Sequence, residues 1–221
     1  MQRASSMYRD RAEAGRELAG RLESYGHSPE TLVLGLPRGG VPVAYELAEA
    51  LDVEMDIFLV RKLGVPWEPE LAMGAVASGD VRVINPEVVQ SLGIPDDEIE
   101  AVARREREVL QDRERLFRGD WPAAKIESRN VILVDDGLAT GSSMRAAITA
   151  LRLQRPAKIV AAVPVGAPQT CERLRHEVDE MICPVMPDSF FAVGQWYVDF
   201  SPVTDEEVRE LLQRVRQRQS R

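Results

Sequence analysis

This chain of 221 residues predicts an α/β fold: a mostly parallel sheet flanked by helices. Three observations predict it. Short apolar runs alternate with stretches of helical spacing, the rhythm of βαβ units. The run Val131-Ile132-Leu133-Val134 has no polar residue, as a strand buried on both faces requires. Two carboxylates, Asp135 and Asp136, and a small-residue turn follow it directly, at the strand end where open α/β sheets place their ligands.

Taken in order, residues 8–25 read as an amphipathic helix with Ala14, Leu18, Ala19 and Leu22 on one face. Thr31 to Leu36 is a short buried strand, Val41 to Leu51 a helix, and Met55 to Val60 a second strand. Residues 63–84 are rich in Gly and Pro and read as a mobile loop with a hairpin; its mobile part is 63–80. Ile94 to Phe117 carries a long charged helix, capped around Pro95-Asp96-Asp97-Glu98. After the strand at 131–134 come a helix from Gly141 to Gln154 and a strand from Lys158 to Val163. A helix near Gln169 to His176 and a strand from Glu180 to Val185 follow. The tail from Thr204 to about Gln217 is a helix opened by a Thr-Asp-Glu-Glu cap. No internal repeat or low-complexity linker divides the chain, so one domain over residues 1–221 is expected.

Composition bounds the function. A domain of this length buries about 70% of its unfolded surface. The net charge of −8 argues against a general nucleic-acid binder. The sequence has no membrane-length apolar run and no signal-peptide core, so a cytoplasmic protein is expected. Cys171 and Cys183 lack metal-ligand spacing and read as thiols in a reducing compartment. His27 and His176 read as structural or surface residues.

Residues 131–143 carry the chemistry. Thr140-Gly141-Ser142-Ser143 leads into a helix, and free N–H groups with the positive dipole end make such a turn a cradle for a phosphate monoester. Carboxylates beside it can accept hydrogen bonds from a ribose diol, so the pair suits ribose 5-phosphate. Paired Asp residues at strand ends also occur in receiver-type metal sites and as turn caps. Two glycines in Leu36-Pro37-Arg38-Gly39-Gly40 allow close backbone approach, and Arg38 adds a charge suited to phosphate; a plain strand-to-helix turn has the same outline.

Position by position, residues 131–143 resemble the phosphoribosyl-pyrophosphate (PRPP) signature of type I phosphoribosyltransferases. Over nearly its full length the chain resembles stand-alone bacterial phosphoribosyltransferase-like proteins. The likeness runs through the Asp10-Arg11-Ala12-Glu13-Ala14-Gly15-Arg16 helix, Leu36 to Gly40, Val60-Arg61-Lys62-Leu63-Gly64, the signature, and the Ala192-Val193-Gly194 and Tyr197-Val198-Asp199-Phe200 tail. The resemblance implies a phosphoribosyltransferase-type, Rossmann-like fold with a helical insertion at 94–118 and a small hood and C-terminal helix over 186–221. It implies transfer of ribose 5-phosphate from PRPP to a nucleobase-like nitrogen acceptor with release of pyrophosphate, and Mg²⁺ as cofactor.

Residue by residue, the resemblance implies Arg38, Gly39 and Gly40 at pyrophosphate and Asp135 and Asp136 at the ribose. Ala139, Thr140, Gly141, Ser142 and Ser143 would hold the 5′-phosphate. Arg61 and Lys62, counted with the acidic pair as catalytic, would meet pyrophosphate and open the 63–80 lid, whose acidic members are Glu68 and Glu70. Phe190 or Phe191 would stack on the base, with Trp196 an alternative core residue. Asp135, Asp136 and Asp199 are the metal candidates. Two departures weaken oxopurine chemistry: Ala139 stands where that branch has a third Asp, and Gly166 where it has a base-reading Lys. A PRPP-sensing regulator that no longer catalyses, and a sugar-phosphate hydrolase or synthase, are the competing functions. The substrates are the partners expected, with neither nucleic acid nor membrane, and a homodimer is the assembly to test.

Overall fold

A computed structural model describes residues 7–219; residues 1–6, 220 and 221 of the expected domain lie outside the described residues. The central sheet is parallel throughout, in the order β2 (Glu54–Ile57), β1 (Thr31–Gly35), β6 (Asn130–Val134), β7 (Lys158–Ala162), β8 (Glu180–Ile182). The alternation of side chains along a strand divides the core into two layers. Val33, Ile132 and Val160 pack with α2 (Gly40–Leu51) and Leu18 and Ala19 of α1 (Arg11–Ala19). Leu32, Leu34, Val131, Leu133, Ile159 and Ala161 pack with α5 (Ser142–Leu153) and α6 (Pro168–Arg175) on the other face. Each fully buried aliphatic side chain contributes roughly 1.5–3 kcal/mol.

Chain order reverses between β1 and β6: the segment after β1 turns to β2 on one side, and β6 pairs on the other. Their C-terminal ends are the topological switch point, where open α/β sheets leave a crevice between diverging loops.

Three spans depart from expectation. The first helix is shorter than 8–25. It begins after Asp10, whose side chain accepts from the Glu13 amide at 2.8 Å, and it stops at Gly20. Tyr8 instead bridges to Tyr197. Second, residues 63–80 are mostly strand: β3 (Val60–Val65) and β4 (Glu68–Ala77) pair around a Pro66-Trp67 turn, and β5 (Val81–Ile84) completes a small antiparallel sheet. The glycines that suggest a loop sit where strands press together. A Cβ on Gly64 would lie 2.5 Å from the Pro69 carbonyl oxygen, and one on Gly74 2.3 Å from that of Val83. Third, the 186–221 segment separates into two parts. Residues 186–200 form the hood, with a helical turn at Val193–Trp196, whereas α7 (Asp205–Gln219) packs on α2, α4 and β2.

A short α3 (Pro86–Leu92) precedes the insertion helix, α4 (Asp96–Arg118), which packs the small sheet against α7. Its last residue is buried: Arg118 bonds both Asp56 oxygens, at 3.1 and 3.2 Å, and the Ile57 carbonyl at 2.6 Å. The insertion is thereby fastened to the end of β2. Among the described residues no helix is long and apolar enough to cross a membrane.

Candidate active site

The loops that leave β1 and β6 meet at the switch point. Leu36 N–H donates to the Val134 carbonyl at 2.9 Å, so the β1 loop starts in register with β6. Its two glycines then lie directly on the acidic pair. A Cβ on Gly39 would stand 2.0 Å from Asp136 Oδ2, and one on Gly40 2.6 Å from the Val134 carbonyl oxygen. No side chain fits at either place, which is the reason for glycine there. The peptide between Pro37 and Arg38 is cis.

Asp135 Oδ1 accepts from the Asp136 amide at 2.9 Å. Asp136 Oδ2 accepts from Arg11 Nε at 2.8 Å, and the Tyr197 hydroxyl donates to the Asp136 carbonyl at 2.6 Å. Burial pushes the Asp135 carboxyl well above its ordinary range, and the neighbouring Asp136 charge pushes it the same way. Burial also raises Asp136, with the Arg11 guanidinium opposing it. Both shifts favour the protonated carboxyls, whose oxygens can accept from, and whose protons can be donated to, a ligand's hydroxyls.

Beyond them the chain turns sharply. Gly141 has φ +76°, the left-handed region, and α5 begins at the next residue, Ser142, whose N–H donates to Thr140 Oγ1 at 3.4 Å. Ala139, Thr140, Ser142 and Ser143 are exposed around that helix end. The turn is braced from below: Thr170 Oγ1, at the start of α6, donates to the Ala139 carbonyl at 2.8 Å. The residues expected to form the cradle thus lie around the α5 N-terminus, with Thr140 Oγ1 3.2 Å from the Ser142 hydroxyl.

The same brace closes the position of the missing lysine. A Cβ on Gly166 would lie 2.5 Å from Cys171 Sγ, 3.1 Å from Leu138 Cβ and 3.2 Å from Cys183 Sγ. Both cysteines are free thiols. The space a base-reading side chain would leave through is filled by sulfur, so the departure is built into the packing.

The expected cationic residues are all engaged with acids. Arg38 lies 3.6 Å from Asp205 at the start of α7. Arg61 Nε and Nη2 reach Glu106 of α4 at 2.7 and 2.6 Å. Lys62 Nζ bonds the Glu70 carbonyl and carboxylate at 3.0 and 3.2 Å. Glu68 is exposed at the start of β4.

In the hood the two base-stacking candidates part company. Phe190 packs with Tyr8, Val165 and Tyr197, as does Trp196. Phe191 is 81% exposed and has a free face for stacking. The Asp199 carboxylate accepts from the Ser201 amide at 2.9 Å and the Ser201 hydroxyl at 2.6 Å in an exposed turn. Among the described residues no three acidic, His or Cys side chains gather as a metal-binding group. His27 and His176 are both exposed, the first in the loop before β1 beside Asp52 and the second just after α6.

Two residues at the site carry no signal of their role in the sequence. Arg11 lies inside a quoted motif, and Tyr197 inside the tail motif; neither has a local pattern pointing to an acid 125 and 61 residues away.

The class these features define is the phosphoribosyl transferase domain. The family model of that description matches residues 5–201, and the chain belongs to that family. Among individual proteins it is 42% identical over 208 residues to a Mycobacterium tuberculosis protein, found in strains CDC 1551 and H37Rv, whose name assigns it provisionally to the phosphoribosyl transferases. That alignment covers 94% of this chain and 47% of the relative, so the chain spans about half the length of the curated relatives it matches. The crystal structure of TT1426 from Thermus thermophilus is similar at a TM-score of 0.84 and 43% identity, covering 93% of this chain and 97% of that one. AQ2163 from Aquifex aeolicus shares the fold at a TM-score of 0.50 and 10% identity, over 83% of this chain and 78% of that one.

Proposed function

We propose that the chain transfers ribose 5-phosphate from PRPP to a nitrogen acceptor of nucleobase type, releasing pyrophosphate. One observation carries the reading: an open phosphate cradle at the α5 N-terminus directly follows two carboxylates onto which the Gly39-Gly40 loop is pressed. The 5′-phosphate sits against Ala139 to Ser143, and Asp135 and Asp136 accept from the ribose hydroxyls. Anchoring these remote groups positions the anomeric carbon between donor and acceptor. Arg38, Arg61, Lys62 and the N–H groups of residues 38 and 39 face the departing pyrophosphate and stabilise the charge it gains, the Gly40 N–H being taken by the Leu36 carbonyl at 3.0 Å. Phe191 offers a stacking face to the acceptor.

Asp135 and Asp136 are hard oxygen donors at an open strand end, which fits Mg²⁺, a cation ordinarily held by one or two carboxylates plus substrate phosphates. When bound, it neutralises pyrophosphate charge and orients the leaving group. Free thiols at Cys171 and Cys183 support a reducing, cytoplasmic setting.

A second reading, a PRPP sensor, is favoured by the filled Gly166 position and by the acids holding Arg61 and Lys62. Titrating PRPP calorimetrically with and without Mg²⁺, then measuring pyrophosphate release with a panel of bases, separates the two. Saturable binding with base-dependent release supports the transferase. Binding with no release from any base supports the sensor, and no binding at all ends both.

A further inference from the structure

Arg11, the first residue of α1, reaches across the molecule to the acidic pair. Its Nε donates to Asp136 Oδ2 at 2.8 Å, its Nη1 donates to the Ser201 carbonyl at 2.9 Å, and its Cζ lies 4.0 Å from the centroid of the Phe200 ring. The guanidinium is therefore gripped on one edge by Asp136, on another by the hood backbone, and on its face by an aromatic ring. Only 11% of the Arg11 side chain and 14% of the Asp136 side chain is exposed. A pair so placed fixes geometry, because neither partner can turn to water instead.

The bond takes Oδ2 alone, and among the described residues no other residue's donor is bonded to Asp136 Oδ1. The same end of the chain is tied to the hood three times more. Tyr8 N–H donates to the Trp196 carbonyl, Val198 N–H to the Tyr8 carbonyl and Asp199 N–H to the Arg9 carbonyl, each at 2.8 Å. Tyr197, between them, donates to the Asp136 carbonyl. The N-terminal segment, the acidic pair and the hood thus form one closed set of contacts.

We propose that Arg11 is a positioning residue for the donor's ribose. By holding Oδ2 it presents Oδ1 of Asp136 to a ribose hydroxyl, and through Phe200 and Ser201 it sets the hood over that sugar. The ligand class it serves is the vicinal diol of a ribose phosphate, not the phosphates at either end. This rests on the donor assignment proposed above.

The test is calorimetric titration of PRPP, and separately of inorganic pyrophosphate, which has no ribose. The proteins are wild type, Arg11→Met, Asp136→Asn, the double variant and Arg11→Lys, with thermal melts to check folding. Arg11→Met weakens PRPP binding about 10- to 100-fold, the range for losing a partner that orients a ligating group. It leaves pyrophosphate affinity unchanged and adds nothing further in the Asp136→Asn background. Arg11→Lys, which keeps the charge and loses the fork, falls between wild type and Met for PRPP. Where Arg11→Met does not fold, Arg11→Lys decides. PRPP affinity equal to wild type in a folded Arg11 variant overturns the proposal. So does an equal loss for pyrophosphate, or a loss that adds fully to that of Asp136→Asn. If wild type itself fails to bind PRPP, the donor assignment falls first and takes this inference with it.

Discussion

The two halves of the donor site are built on opposite plans. The phosphate half, residues 137–143, is mostly backbone: a left-handed glycine, the N-terminus of α5, and a brace from Thr170 to the Ala139 carbonyl. Its internal contacts are neutral ones, Thr140 Oγ1 with the Ser142 N–H and hydroxyl at 3.4 and 3.2 Å. The cations of the pyrophosphate half are side chains, and each is occupied, Arg38 by Asp205, Arg61 by Glu106 and Lys62 by Glu70. The difference is one of reorganisation. In the first half an anion exchanges weak neutral contacts, whereas in the second an incoming polyanion must compete with carboxylates already there. For exposed ion pairs that competition is weak, about 0–1 kcal/mol each. Arg61 is held harder, because Glu106 is mostly buried in α4.

The sharpest way to break the comparison is at the acids between the halves. Asp135→Asn with Asp136→Asn removes two charged acceptors, at about 1.5–3 kcal/mol each. PRPP affinity measured by calorimetry is expected to drop at least about 100-fold. Unchanged affinity would refute the ribose contacts. Stability should move the other way. Burial raises the Asp135 pKa in the native state, with the Asp136 charge as the second cause. The native protein thus binds that proton more tightly than the unfolded chain does. Its stabilising contribution is present at acid pH and is lost as pH rises through the raised native value. A neutral Asn avoids that loss. Asp135→Asn should therefore melt above wild type at mildly alkaline pH, with the gap closing towards the ordinary carboxylate range. A variant that melts lower at every pH would show that Asp135 is not strained by its burial.

The next largest effect is expected at the glycine that seats the pyrophosphate loop. In Gly39→Ala the new methyl falls 2.0 Å from Asp136 Oδ2, so the loop or the carboxylate must shift. Overpacking of that kind costs about 1–3 kcal/mol of stability. A displacement near 1 Å at a reacting site costs on the order of 100-fold in rate. Gly20→Ala is the control, since its methyl meets nothing closer than 3.6 Å and should leave both melting and donor binding unchanged. Equal behaviour of the two variants would mean the Gly39 loop yields freely and is not seated on the acids.

These halves are unequally legible in the sequence, for the same reason they differ in structure. The cradle is a local object: strand, two acids, glycine and helix start lie within thirteen residues, and local backbone chemistry writes each of them. The partners of the cations are not local. Glu106 lies 45 residues from Arg61, and Arg11 lies 125 from Asp136, so their meeting depends on how α4 and α1 pack. Residues 63–80 mislead because glycine serves loops and close strand contacts alike, and only the Pro69 and Val83 carbonyls show which use applies. Asp199 is read by type alone in the sequence, and its local partner in the fold is Ser201, two residues on.

The smallest effect carries the finest distinction. Glu70 is 97% exposed and Lys62 41% exposed, and their contact spans 3.2 Å. Glu70→Gln should free Lys62 for pyrophosphate and raise donor affinity by about twofold to fivefold, the worth of an exposed pair. Salt screens such a pair, so the gain should shrink as ionic strength rises. With Ala139 where the oxopurine branch has a third Asp, Glu68 and Glu70, both on β4, are the acids left to serve as proton acceptor. Proton transfer by a positioned base contributes about 10²–10⁴-fold, far outside what ion-pair release can produce. Measured kcat therefore separates the two roles without ambiguity of scale. Near-constant kcat with a slightly lower KM for PRPP makes Glu70 a holder of Lys62. A hundredfold fall in kcat makes it the proton acceptor, and would require the β3–β4 turn to fold over the donor during turnover.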